Sequence, residues 1–250
     1  MQLDCAWENK LANFDRAAAL LDAEAPAAGS LIVLPEMFAT GFSSNTAVTK
    51  QGAAHESDQF LRDLAKKHGC CVVGGVVTEN EAGNCQNEAV VFDATGRELA
   101  RYAKIQPFNP GGEGEVHQPG TEVFVFEWAG LKIAPLICYD LRFPELARTA
   151  VLRHGAEVLI CIASWPIKRY QHWLTLLQAR AIENLAYVVG VNRCGQDPHF
   201  SYAGRSVVVD PHGVIIVDAG AQERIVRAGI ERDVVLSWRA EFPALADARG

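Results

Sequence analysis

An α/β fold built on a mixed sheet is what this sequence predicts, and three observations carry that expectation. Short apolar runs of strand length alternate with longer segments of helical spacing along the chain. Several of these runs are apolar at successive positions, as strands are when a sheet is covered on both faces. Asp93-Ala-Thr-Gly96 and Asp210-Pro-His-Gly213 each sit between two apolar runs, which signals hairpins and hence antiparallel pairs beside the crossover units.

Strands are expected at 31–34, 71–77, 88–92, 123–126, 131–138, 158–162, 186–191, 206–209 and 214–218. Helices are expected at about 9–25, 55–69, 143–154 and 170–185. In the last of these Trp173, Leu176, Leu177, Ile182 and Leu185 recur at helical spacing, so the stripe is core rather than a cofactor site. No linker, low-complexity stretch or short repeat interrupts the 250 residues, and a single domain over 1–250 is expected. The segment from about 105 to 121 is long, poor in apolar residues and rich in glycine and proline; a loop of that length inside a domain is usually functional.

The chain has 23 basic and 30 acidic residues, a net charge of −7, which argues against nucleic acid or an anionic membrane as partner. The opening MQLDCAWENK has no basic region followed by an apolar stretch, and the longest apolar runs fall well short of the ~20 residues of a membrane helix. A cytoplasmic protein is expected. Its seven cysteines form no CxxC and no zinc-type His/Cys spacing, so neither a disulfide framework nor a bound metal is expected.

Three residues place costly polarity at the ends of apolar segments. Glu36 follows LIVLP, Lys104 follows ELARYA, and Cys138 ends LKIAPLI. Open α/β sheets hold their sites outside the carboxyl ends of strands, where Glu36 and Cys138 fall. On the residues alone, this is a candidate Cys/Glu/Lys hydrolase site. Each residue taken singly also fits a solvated loop or a core thiol.

LPEMFATGF (34–42), YAKIQPFNPGGE (102–113) and ICYDLRFPEL (137–146) resemble the three motifs of the nitrilase, or carbon–nitrogen hydrolase, superfamily, in the family's order. RAIEN (180–184) is similar to a later helix motif, and matches run from about residue 3 to the closing EFPALADAR. The resemblance implies an α-β-β-α sandwich with mixed sheets, its site at one end of the sheets, and no metal or organic cofactor. It also implies Cys138 as nucleophile, Glu36 as general base and Lys104 as electrophilic stabiliser. Glu113, nine residues after the lysine, matches the family's second acidic residue, with Glu115 as the alternative. The main-chain N–H of Tyr139 joins Lys104 as an oxyanion donor.

Around this set, Trp165 and Phe42 are candidate pocket walls, with Tyr102 and Tyr139 as weaker ones and Trp165 alternatively a core aromatic. Arg142 either binds a substrate carboxylate or is held structurally by Asp140 or Glu145. His172 reads as a surface or capping residue.

LPEMFATGF, ASWP before the HW pair, and EFPALADAR look most like the bacterial ω-amidase branch. That likeness implies hydrolysis of the terminal amide of 2-oxoglutaramate or 2-oxosuccinamate. A generic short-chain or deaminated-glutathione-type amidase is the alternative, and a catalytically idle interaction module the reading from a different class. Family members carry several apolar residues before the QLD that here follows Met1, so either a truncated first strand or a start codon assigned late is expected. The resemblance also implies a homodimer or larger homo-oligomer. The segment 234–245, with Trp238, Phe242 and Leu245, either crosses to the partner or packs on its own subunit.

Overall fold

Two sheets meet face to face, and their central strands are apolar on both sides because each sheet is covered twice. The computed structural model describes residues 1–248. Along the chain α1 (Lys10–Glu24) leads to β1 (Leu31–Val33), and α2 (Thr46–Thr49) and α3 (Glu56–His68) precede β2 (Cys71–Glu79), β3 (Cys85–Phe92) and β4 (Glu98–Ala103). After α4 (Glu113–Val116) come β5 (Phe126–Trp128), β6 (Leu131–Ile137), α5 (Pro144–His154), β7 (Val158–Ala163), α6 (Tyr170–Asn184) and β8 (Tyr187–Asn192). Then follow β9 (Cys194–Gln196), β10 (Ser201–Ala203), β11 (Val207–Val209), β12 (Ile215–Asp218) and α7 (Arg232–Glu241).

One sheet runs β1-β2-β3-β4, with β1 parallel to β2 and the rest antiparallel. The other runs β12-β11-β8-β7-β6-β5; its centre β6-β7-β8 is parallel, crossed over by α5 and α6, and its flanks are antiparallel. Side-chain alternation shows how the layers form. On β7, Val158, Ile160 and Ile162 face the other sheet, while Leu159, Cys161 and Ala163 pack under α5 and α6. On β2 and β3, Val73, Ala89 and Val91 meet that inter-sheet core, while Val72, Val90 and Phe92 pack with Leu21 of α1 and Leu61 and Leu64 of α3. The result is the mixed-sheet α-β-β-α arrangement. Burying each large apolar side chain contributes roughly 1.5–3 kcal/mol. A polar group inside either face therefore needs a reason.

Both expected hairpins form, at Gly96 with φ +80° and Gly213 with φ +86°. Several expectations shift. The strand expected at 123–126 starts at Phe126 instead, because Ala129-Gly130, at φ +50° and +79°, turns the chain so that Trp128 pairs with Leu131. The short ribbon β9–β10 and the helix α7 were not anticipated, and β4 continues ELARYA into full pairing with β3. At the chain start, Gln2 bridges Arg224, and the Met1 amino group donates to the Val33 carbonyl at 2.8 Å; residues 1–9 form no longer strand. Arg249, in the closing EFPALADAR, lies outside the described residues.

Candidate active site

Glu36 follows β1 in a turn that lies flat against β2. Gly75 makes this possible: a Cβ there would fall 2.5 Å from Met37 N and 2.6 Å from Glu36 Cα. The turn delivers Glu36 fully buried. Its Oε2 accepts from the Ser164 N–H at 2.8 Å, just past β7, and its Oε1 accepts from Lys104 Nζ and Asn87 Nδ2, each at 2.9 Å.

Lys104 directly follows β4, and its main-chain N–H donates to the Asn87 carbonyl at 2.8 Å. Nζ donates to Glu113 Oε2 at 2.7 Å as well as to Glu36, so one of an ammonium's three N–H groups is left for another acceptor. Glu113 opens α4 in the long loop. Phe108 N–H donates to its Oε2 at 2.6 Å, and Asn87 Nδ2 donates to its Oε1 at 2.9 Å.

Cys138 terminates β6 with φ +47°, a left-handed conformation that strains a non-glycine residue by about 1–3 kcal/mol. Asp140 holds the turn: its carboxylate accepts from Ile137 N–H at 2.9 Å, Tyr102 Oη at 2.8 Å and Gln106 N–H at 2.8 Å. Tyr139 N–H lies in the first turn of the short 3₁₀ helix Cys138–Arg142, where main-chain donors lack an intrahelical partner. Of the seven cysteines, only Cys138 is not fully buried.

The electrostatics divide the roles. Burial, and then the Glu36 carboxylate, push the Cys138 thiol well above its ordinary value, with Lys104 pulling the other way. The resting thiol therefore keeps its proton. Burial alone would discharge Lys104, but Glu36 and Glu113 outweigh it and hold the ammonium charged. Glu113 is lowered although burial pushes it up, because Lys104 and the donors Asn87 and Phe108 favour its ionised form.

Cys138 opens into a partly open cleft. Its walls are Phe42, Phe108, Tyr139, Trp165, Phe200 and Tyr202, with Ser164 and Pro166 also lining it. Arg142 and Arg169 also line it. The Arg142 guanidinium stacks 4.6 Å from the Trp165 ring centroid and 5.9 Å from that of Tyr139; Arg169 lies 5.5 Å from that of Phe108. Among the described residues neither arginine has a carboxylate partner within 4.0 Å.

Residues 1–240 match the carbon-nitrogen hydrolase family model. The chain belongs to the carbon–nitrogen hydrolase family. It is 34% identical over 250 residues to a 2-oxoglutaramate amidase of Bacillus subtilis, covering 100% of this chain and 96% of that one. It is 36% identical to an omega-amidase of Yersinia enterocolitica, covering 99% and 94%. The structure of a CN-hydrolase superfamily protein from Xanthomonas campestris, with an arsenic adduct in its active site, superposes with a TM-score of 0.92 at 34% identity, covering 100% of this chain and 95% of that one. This is thus a carbon–nitrogen hydrolase whose similarity runs to the ω-amidase type, on the nitrilase fold.

Within this hydrolase the structure brings Glu36, Lys104, Glu113 and Cys138 together. Glu115, the alternative acid, is exposed on the far side of α4 and touches none of them. Phe42 and Trp165 line the cleft, and Trp165 also packs on Trp173 of the core. Tyr102 is corrected: it is buried and spends its hydroxyl on Asp140, away from the cleft. A structural ion pair for Arg142 is corrected too. Asp140 accepts from three other donors, Glu145 is exposed and unpaired, and the hydrogen-bonding partner of the Arg142 guanidinium among the described residues is His172 Nδ1, at 3.3 Å.

Sequence reasoning missed Asn87 and Ser164. Asn87 stands just before the strand expected at 88–92, and β3 in fact begins at Cys85, which places this amide inside the sheet. Ser164 acts through its main-chain N–H, which leaves no mark on residue type. Among the described residues no group of three or more His, Cys, Asp or Glu is arranged to hold a metal ion.

Proposed function

We propose that this hydrolase is a cysteine-dependent amidase that removes the terminal amide of a short 2-oxo acid amide, 2-oxoglutaramate or 2-oxosuccinamate, to give the 2-oxo acid and ammonia. One observation carries the substrate class: Arg142 and Arg169 present guanidinium groups without carboxylate partners to the cleft that opens on Cys138. Guanidinium planes of this kind match a carboxylate in bidentate fashion. The likeness to a 2-oxoglutaramate amidase supports the same choice.

The chemistry follows from the charges. Glu36 takes the proton of the Cys138 thiol as sulfur attacks the amide carbonyl carbon. The resulting oxyanion accepts from the third N–H of Lys104 and from Tyr139 N–H. Glu36 then gives its proton to the departing nitrogen, the C–N bond breaks, and ammonia leaves a thioester on Cys138. Water, deprotonated by Glu36, attacks that thioester; the C–S bond breaks and the proton returns to sulfur. Glu113 stays ionised throughout and keeps Lys104 charged and in place.

The same reading makes the chain one catalytic domain that works in the cytoplasm as a homodimer or larger assembly. No helix among the described residues is long and apolar enough to cross a membrane. Ile182 on α6, expected in the core stripe, is instead 53% exposed, and Phe242 after α7 is 52% exposed, apolar surface that a second copy would cover.

Ammonia release from 2-oxoglutaramate, 2-oxosuccinamate, glutamine, asparagine, neutral short amides and nitriles tests the function. The 2-oxo acid amides should be the best substrates, and Cys138→Ala should release no ammonia from any. A neutral amide turned over as fast as 2-oxoglutaramate refutes the substrate, and an active Cys138→Ala refutes the mechanism.

A further inference from the structure

Asn87 stands where an apolar residue would be cheaper. Along β3 the side chains of Ala89 and Val91 point into the inter-sheet core, and Asn87 shares their parity. It is buried at 1% exposure. Its amide nitrogen has two N–H donors, and both are spent on the catalytic carboxylates, at 2.9 Å to Glu36 Oε1 and 2.9 Å to Glu113 Oε1. Its main-chain carbonyl accepts from the N–H of Lys104 at 2.8 Å. One residue thus touches three members of the site. The amide oxygen, by contrast, is buried without a hydrogen-bond partner among the described residues. It is the donor end that the site uses, since the reverse orientation would set an oxygen against two carboxylates.

We propose that Asn87 is a positioning residue that keeps Glu36 and Glu113 ionised together around a single ammonium, so that Glu36 is unprotonated when the amide arrives. The inference rests on the reading of Glu36 as general base. Two carboxylates share Lys104, and the second negative charge needs donors to remain. A second cation there would neutralise the pair and blunt Glu36 as a base. A neutral amide donates twice and leaves the net charge of the trio at −1, the charge that draws the proton from Cys138. The amide also fixes which edge of each carboxylate faces inward, leaving Glu36 Oε2 on the side of Ser164.

The experiment is the pH dependence of kcat and KM for amide hydrolysis in wild type, Asn87→Ala and Asn87→Asp, with folding followed by circular dichroism. Asn87→Ala should lower kcat by about a hundredfold with KM changed less than about threefold. It should also move the acidic limb of kcat/KM upward, because the ionised carboxylates lose donors. A purely structural asparagine would reduce the amount of folded enzyme and leave the limb in place, and that result overturns the proposal. If Asn87→Ala does not fold, the near-isosteric Asn87→Asp decides. While protonated, the new carboxyl can donate one bond; once ionised it opposes both glutamates. Activity should therefore survive only at the acidic end and disappear as the pH rises, and an Asn87→Asp profile with the wild-type alkaline side overturns the inference. A wild type that releases no ammonia, or a Cys138→Ala variant that does, marks instead the failure of the amidase reading, and takes this inference with it.

Discussion

Lys104 Nζ lies 2.9 Å from Glu36 Oε1 across 68 residues of sequence, in a site where both side chains are almost wholly removed from solvent. Such a pair is held by its full set of partners, and removing one of them leaves a buried charge uncompensated. Lys104→Arg keeps the charge but replaces a compact ammonium with a wide planar fork that cannot occupy the gap between Glu36 and Glu113. We expect kcat below about a tenth of wild type, a loss above the ~1.4 kcal/mol that a tenfold change represents. Steady-state ammonia release measures it, and a variant that keeps more than a tenth of kcat removes Lys104 from the oxyanion role.

Cys138 should be the thiol that an alkylating reagent labels first. Its pKa is pushed up, as are those of Cys5, Cys71 and Cys194, so thiolate content alone does not single it out. Access does, because the other six are buried. Peptide mapping after brief treatment with iodoacetamide should find the label on Cys138, with loss of activity in step. Each of the other six should tolerate Ser or Ala with activity largely kept. Early labelling elsewhere contradicts the cleft geometry.

Much of this site was legible because polarity at the end of an apolar strand is expensive. Glu36 after β1, Lys104 after β4 and Cys138 after β6 each break an apolar run, and the strand ends bring them together. The rest was illegible for specific reasons. Asn87 looks from sequence like the polar start of a strand, and only its pairing with β2 and β4 reveals that it is interior. Glu113 and Glu115 stand two residues apart in a loop, and only the turn at Asn109–Gly111 decides which one is buried. The layers were readable from strands apolar on both faces. The ribbon β9–β10 was not, because three-residue strands around Gly195 and Pro198 carry no periodicity.

Asp140 gives the fold a pH dependence. Burial pushes its carboxyl up to about 6, against the pull of Ile137 N–H, Lys104, Tyr102 and Gln106 N–H. An unfolded aspartate titrates near ~3.9. The fold thus favours the protonated form, so the stabilisation linked to this group is full below about pH 4 and is lost as the pH rises through about 6. About two pKa units correspond to ~3 kcal/mol. Asp140→Asn, which cannot ionise, should gain on wild type by roughly that amount between pH 4 and pH 7 in urea unfolding. A stability difference that stays constant over this range refutes the linkage.

Self-association should use the outer face of the α5–α6 layer and the segment after α7. Leu152, Ile182, Leu236 and Phe242 are between 40% and 53% exposed, whereas Trp238 packs against His212 of its own subunit, ring centroids 4.3 Å apart and tilted by 43°. Light scattering at micromolar concentration should give a dimer or larger species. A charge placed there by Ile182→Glu should shift it toward monomer, since an unpaired carboxylate in an apolar interface is strongly unfavourable. A monomeric wild type refutes the assembly.

Substrate charge is the remaining test, and it turns on Arg142. The protein carries −7 overall, so a substrate carboxylate meets a repulsive general field and needs a local cation. Lys104 is committed to Glu36 and Glu113, and Lys168 is exposed outside the cleft lining. Arg142 and Arg169 remain, and burial, and then the Arg169 charge, lower the pKa of Arg142. Two guanidiniums brought this close without an acid between them are relieved when a carboxylate arrives. A charge-assisted contact of this kind is worth roughly 1.5–3 kcal/mol, or about one to two decades in kcat/KM. We therefore expect 2-oxoglutaramate to exceed an uncharged amide of equal length by at least about tenfold. Arg142→Gln should erase most of that preference while sparing the neutral amide, because the Trp165 wall and the Asp140 turn do not depend on the charge. Equal loss on both substrates would mean that Arg142 shapes the cleft, and unchanged discrimination would shift the carboxylate to Arg169.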